Sequence, residues 1–161
     1  QKSRIMIVDI STHLPCSFDQ AVFQVRKPQL LQFVAAPLVR FTPIDPARFP
    51  DVWSEQTYWV RLQLFGLVPF GKQAIVISLL PTGNGFALRD AGHSAIVKTW
   101  DHVITIQPNT VGVLYRDRVE VKAGLLTPFI WVFAQLFYRH RQRRWRSLVA
   151  RKFDYGDQRG A

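Results

Sequence analysis

The sequence predicts an α+β domain in which a curved antiparallel sheet closes around one long C-terminal helix. Three observations carry that reading. Leu125–Lys152 reads as a single helix whose first half is oily on nearly every face and so needs a cover. Between residues 57 and 123 the apolar period switches to two, in runs parted by short turns. Ahead of these stand one β-branched strand and two short helical segments punctuated by Pro28 and Pro37.

A chain of 161 residues is one domain, long enough to bury a real core. With 48% hydrophobic and 13% aromatic residues it belongs among folded globules rather than disordered tails. We expect a single domain over residues 1–153 and a disordered tail over 154–161.

The formal charge of +10 is unevenly spread. Lys122, Arg139, Arg141, Arg143, Arg144, Arg146, Arg151 and Lys152 fall in a stretch without Asp or Glu, which leaves 13 basic against 11 acidic residues elsewhere. The high pI thus reports one element, which argues against nucleic acid as a partner. The lone Cys16 excludes an internal disulfide and suits a reducing compartment, the cytoplasm. No charged segment followed by an apolar run opens the chain, so no signal peptide is expected. The apolar run of the last helix is about 14 residues, short of the ~20 that cross a bilayer, and predicts a buried helix.

In chain order, Arg4–Ile10 is rich in β-branched residues and reads as a strand. Ser17, with Gln20 three residues on, forms a capping box, and Asp19 suits the positive end of the helix dipole. That helix should stop before Pro28, which can open a second short helix ending before Pro37. Val39–Ile44 is a candidate short strand and Asp45–Pro50 a loop. Thr57–Phe65 alternates strictly, with Tyr58, Val60, Leu62 and Leu64 on one face. Gly66–Gly71 reads as a wide turn, and Gln73–Leu80 and Phe86–Ala91 as strands flanking the turn Pro81–Gly85. Ala95–Gln107 and Val111–Ala123 complete the meander. Thr127 as N-cap and Pro128 at the first helical position start the long helix.

A four-residue loop, Gln107–Thr110, would pair Ile106 with Val111, Ile104 with Val113, His102 with Tyr115 and Trp100 with Asp117, all facing inward. The outward set would include an Asp101–Arg116 ion pair. A one-residue slip would invert the two faces. Asp90 is expected to pair with Lys98 across a turn as a solvated rim pair.

This order of elements, with LPCSFDQAVFQVRKPQLL early and YRDRVEVKAGLLTPFIWVFAQLFYRHRQRRWRSLV at the close, resembles the START-like helix-grip superfamily over roughly Arg4–Ala150. The superfamily is also described as the SRPBCC or polyketide cyclase/dehydrase group. The resemblance implies six or seven strands, the count turning on Val39–Ile44. It also implies a cavity between sheet and long helix that takes a lipid, sterol, polyketide or hormone, and in some members a cyclisation or dehydration reaction. It brings no residue motif and no cofactor with it, because the superfamily shares no catalytic signature.

The ligand lining expected from the inward faces is Tyr58, Leu62, Trp100, His102, Tyr115, Asp117, Ile130, Phe133 and Phe137. As an enzyme, the chain would use His102 as base, Tyr115 as donor and Asp117 beside them. The alternative for these three is a structural hydrogen-bond network, since a buried Asp must find partners or shift its pKa. Four scattered His and one Cys give no metal spacing. Ile130, Ala134, Phe137, Arg141, Trp145 and Leu148 form one helical stripe, with the Arg141 stem laid along it. Either Arg139, Arg143 and Arg146 face water at the helix C-terminus, or the cluster of Arg139, Arg141, Arg143, Arg144 and Arg146 meets an anionic partner: a membrane surface, with Trp145 as an interfacial anchor, ahead of nucleic acid.

Overall fold

The computed structural model describes residues 4–156. The strands are β1 (Met6–Leu14), β2 (Val39–Asp45), β3 (Thr57–Leu64), β4 (Val68–Leu80), β5 (Phe86–Ser94), β6 (Thr99–Asn109) and β7 (Gly112–Lys122). The helices are α1 (Phe18–Val25), α2 (Pro28–Ala35) and α3 (Thr127–Ala150), the last preceded by a 3-10 turn over Gly124–Leu126. All seven strands form one antiparallel sheet in the order β1-β7-β6-β5-β4-β3-β2. Val39–Asp45 is therefore the seventh strand, pairing with β3 at the sheet edge.

Local chemistry sets most of these boundaries. Ser17 Oγ accepts the Gln20 N–H at 3.1 Å and opens α1, while Pro28 stands at the start of α2, where its missing N–H goes unused. Thr127 is not the N-cap of α3 but already helical. Its hydroxyl accepts the Ala123 N–H at 2.9 Å and donates to the Gly124 carbonyl at 2.7 Å, which ties the 3-10 turn to the helix. The expected wide turn at 66–71 is tighter, because Phe65 and Gly66 both adopt positive φ and let β4 begin at Val68.

The β6–β7 hairpin also turns later than its proline suggests. Asn109 pairs with Gly112, and the Asn109 side chain accepts the Val111 N–H at 3.1 Å, leaving a two-residue turn. Pro108 stays in the strand, beyond the last β5 partner at Ile106, where the missing donor costs little. Ile106 thus pairs with Tyr115, Ile104 with Asp117 and His102 with Val119. The displacement from the expected register is four residues. Being even, it leaves the inward and outward sets unchanged but moves every cross-strand pair. Asp101 lies opposite Glu120 rather than Arg116, and its ion pair is with Arg89 at 2.7 Å. Arg116 reaches Asp9 of β1 instead, at 2.5 Å.

The buried face of α3 is the expected stripe: Ala134, Phe137, Arg141, Trp145 and Leu148 are all buried. Its opposite face is not covered, although the sequence predicts cover on nearly every side. Val132 and Leu136 are 51% and 62% exposed, because the sheet curls past one side of the helix only. Of the tail expected from 154, residues 157–161 lie outside the described residues. Tyr155 packs edge-on against Phe33 of α2, centroids 5.4 Å apart, and donates to Gln24 Oε1. Among the described residues no helix is long and apolar enough to cross a membrane.

Candidate ligand cavity

Between α3 and the inner face of the sheet lies a cavity of about 240 Å³, near the lower edge of the roughly 300–1,000 Å³ usual for small-molecule sites. Its walls are mostly oily. β2 and β3 supply Val39, Phe41, Leu62 and Leu64, and α3 supplies Phe129, Ile130, Phe133 and Phe137. The alternation of each strand and the three-to-four spacing of the helix aim these side chains at one space. Phe129 lines the cavity while mostly exposed, which places the mouth at the start of α3.

Besides Gln73 of β4, the polar groups of the wall are Asp90, His102, Trp100, Tyr138 and Arg141. Trp100 Nε1 donates to Tyr138 Oη at 2.9 Å. His102 Nε2 meets Asp117 Oδ1 at 2.7 Å. Burial lowers the His102 pKa, more than its contact with Asp117 raises it, so the imidazole is neutral. With the Nε2 hydrogen on Asp117, the other ring nitrogen is left as an acceptor. Asp117 also accepts from Tyr115 Oη at 2.9 Å and from Gln142 Nε2 at 3.1 Å. Burial pushes its carboxyl up, but His102, Arg141 and Gln142 together outweigh that and hold its pKa below the usual range. Tyr115 is raised by the same burial and the neighbouring carboxylate, so its hydroxyl keeps its proton.

Of the nine expected lining residues, the structure places Leu62, Trp100, His102, Ile130, Phe133 and Phe137 on the cavity wall. Tyr115 and Asp117 meet His102 as expected, yet both are fully buried behind it and do not reach the cavity. Tyr58 lies elsewhere in the core, edge-on to Trp53 at 4.8 Å, with its hydroxyl 3.0 Å from both the N–H and the hydroxyl of Ser54.

Several groups depart from their expected places. Asp90 makes no pair with Lys98. It points inward beside His102, its register partner on β6, and accepts the Val76 N–H at 2.9 Å. It is half-buried and lines the cavity, and desolvation pushes its pKa up to about 7. Arg141 is not on an anionic-facing surface. It is 3% exposed and lines the cavity. Of the other arginines in the run, Arg144 lies over the Phe33 ring at 4.0 Å and donates to the Phe33 carbonyl at 3.1 Å, and Arg146 donates to Thr12 at 2.9 Å. Arg139 and Arg143 are exposed. Trp145, expected as an interfacial anchor, is fully buried against Tyr115.

Residues 36–149 match the profile of a domain of unknown function, DUF8410. The chain belongs to this family. The comparison with curated proteins returned no match. Solved structures similar to this DUF8410 chain share its fold at low identity. A START superfamily protein from Mycobacterium smegmatis is 12% identical, with a TM-score of 0.61, covering 91% of this chain and 98% of that one. A norcoclaurine synthase point mutant from Thalictrum flavum, in complex with a transition-state analogue, is 9% identical, with a TM-score of 0.62 and coverage of 96% and 99%. Protein NE0264 from Nitrosomonas europaea is 10% identical, with a TM-score of 0.65 and coverage of 91% and 96%. The fold of this DUF8410 member is the START-like helix grip. Sequence reasoning could have found Asp90, since it shares the inward parity of Leu88 on its strand. The turn beside it drew the pairing with Lys98 instead.

Proposed function

We propose that this chain binds a small hydrophobic molecule in the cavity between sheet and α3, in the manner of a carrier or receptor. One observation carries the reading: an oily cavity opens at Phe129 and ends on a few converging polar groups. Such a cavity gains from burying an apolar ligand about 25 cal/mol for each Å² removed from water. Native mass spectrometry of the purified protein is expected to show a co-purified apolar mass, and an apolar fluorescent dye is expected to bind. Leu64→Trp, which fills the cavity from β3, should abolish dye binding while leaving the melting temperature nearly unchanged. Undiminished dye binding by that variant would sink the proposal.

The geometry favours binding over a cyclase or dehydratase built on His102, Tyr115 and Asp117. Of the three, His102 alone touches the cavity, and Asp117 and Tyr115 serve to orient it. Among the described residues no group of His, Cys, Asp or Glu converges to hold a metal ion.

A second reading, peripheral contact with an anionic membrane, is favoured by the cavity mouth rather than by the arginine run. Leu125 and Leu67 are 90% and 82% exposed, one just ahead of the cavity residue Phe129 and one in the β3–β4 turn between the cavity residues Leu64 and Phe70. On the outer face nearby, Arg61 stands directly opposite Lys72, a like-charged pairing that is unfavourable without an anion. No Asp or Glu occurs between Glu55 and Asp90. Vesicles containing phosphatidylglycerol should sediment the protein at low salt, and Leu67→Ser with Phe129→Ser should release it. No sedimentation with such vesicles would dispose of this reading.

A further inference from the structure

The Arg141 guanidinium is a buried charge without an ion-pair partner. Buried charges are ordinarily paired, because removing an unpaired one from water is costly. Among the described residues Arg141 forms no salt bridge; its one hydrogen bond runs from Nη2 to Tyr115 Oη at 3.3 Å, and its buried Nε has no partner. Asp117 is close enough to act on it electrostatically, but its oxygens are committed to His102, Tyr115 and Gln142. Asp90, on the facing wall, makes no ion pair with it. Tyr138, one turn earlier on α3, lines the same space and accepts from Trp100, so its own hydroxyl proton is uncommitted. The inner end of an oily cavity therefore presents a positive fork held by one long hydrogen bond and by the Tyr138 ring face, 5.6 Å away, beside a hydroxyl donor with no acceptor among the described residues.

We propose that the cavity binds an amphipathic monocarboxylate, with its carboxylate on the Arg141 guanidinium and Tyr138 hydroxyl and its apolar tail running past Phe133 and Phe137 toward the mouth at Phe129. This rests on the ligand-binding reading above and names the ligand's charge. The planar fork of arginine matches the two oxygens of a carboxylate. A neutral alcohol or sterol leaves the guanidinium without an ion-pair partner, Asp117 acting on it only at a distance, and an amine is repelled by it. Asp90 stays compatible with such a ligand because its carboxyl is protonated below about pH 7, where it adds a donor instead of a second negative charge. The groups that face Asp90 are the Val76 N–H of β4, His102 and Asp101 of β6 and Arg141 of α3. Carboxylate binding is accordingly strongest on the acid side of that transition.

Titration calorimetry with decanoate, decanol and decylamine, all at a pH below the Asp90 transition, tests the proposal. Decanoate is expected to bind about tenfold or more tightly than decanol, with decylamine weakest. Arg141→Met should lose that preference, decanoate then binding no more tightly than decanol. Arg141→Lys, which keeps the charge but not the fork, should fall between the two and serves if the methionine variant fails to fold. Asp90→Asn should keep the carboxylate preference and flatten its pH dependence. Decanol binding as tightly as decanoate would overturn the carboxylate assignment and leave the cavity reading standing. If none of the three ligands binds, both fall.

Discussion

The two ends of the space between sheet and α3 are made of similar residues and packed in opposite ways. Toward the C-terminal half of the helix, Trp145, Leu148, Tyr115, Val113 and Val8 are fully buried and fill the interior solid. Toward the N-terminal half, Phe133 and Phe137 stack on one another, centroids 5.8 Å apart, and look across open space at β3, β4 and β5. The helix packs on β1, β7 and α2; Gln142, Arg144 and Arg146 bond to Ile10, Phe33 and Thr12 along the packed half, whereas Trp131 bonds to the Ile7 carbonyl in the other. The denser anchorage of one half leaves the other free to line a cavity. Stability and recognition are separated along one helix, and the polar network of Asp117, His102 and Arg141 lies at their boundary.

The largest expected effect comes from breaking the packed end. Trp145→Ala removes a fully buried indole and should cost about 3–5 kcal/mol, lowering the melting temperature by roughly 6 °C or more. Phe133→Ala borders the cavity and should cost less than half as much. Equal losses in thermal melts would erase the distinction between the two ends.

Next is the boundary. Asp117→Ala strips His102, Tyr115 and Gln142 of their acceptor and leaves Arg141 further from any negative charge, at an expected ~3 kcal/mol. Denaturant unfolding checks this, and an effect near zero would mean that the network contributes nothing to stability.

A smaller effect of opposite sign is expected at Asp90. Its folded pKa of about 7 lies above the ordinary 3.8, so the folded state binds the extra proton. Stability attributable to Asp90 therefore falls as pH rises from about 4 to about 7 and stays lost above that. Asp90→Asn should be nearly silent in acid and stabilise the protein by about 1–2 kcal/mol in alkaline buffer. A melting-temperature gain that did not grow with pH would show that the carboxyl is well hydrated.

The smallest effect belongs to the cavity mouth at the start of α3. Phe129→Ser, at a side chain 74% exposed, should change stability by less than about 0.5 kcal/mol. A larger loss would mean that the mouth is part of the packed core.

What the sequence determined by itself is what local chemistry determines. Alternation assigned the inward and outward faces of β3, β6 and β7, and a four-residue error in register left those faces intact because side chains alternate with period two. Ser17 and Pro28 marked the starts of α1 and α2, and the stripe through Ala134, Phe137, Arg141 and Trp145 chose the buried side of α3. What stands opposite a residue was decided by tertiary structure alone. Helical spacing separates Arg141, on the buried stripe, from Arg143, in water two residues on, but it places only the Arg141 stem; that the guanidinium too is enclosed beneath the sheet depends on Tyr115, Asp117 and Tyr138 around it. In the same way, Asp90 turned from a rim residue into a cavity group because of what β4, β6 and α3 bring to it. Whether inward aromatics meet each other or meet empty space depends on how far the curled sheet stands from the helix, a distance set by contacts between residues far apart in the chain.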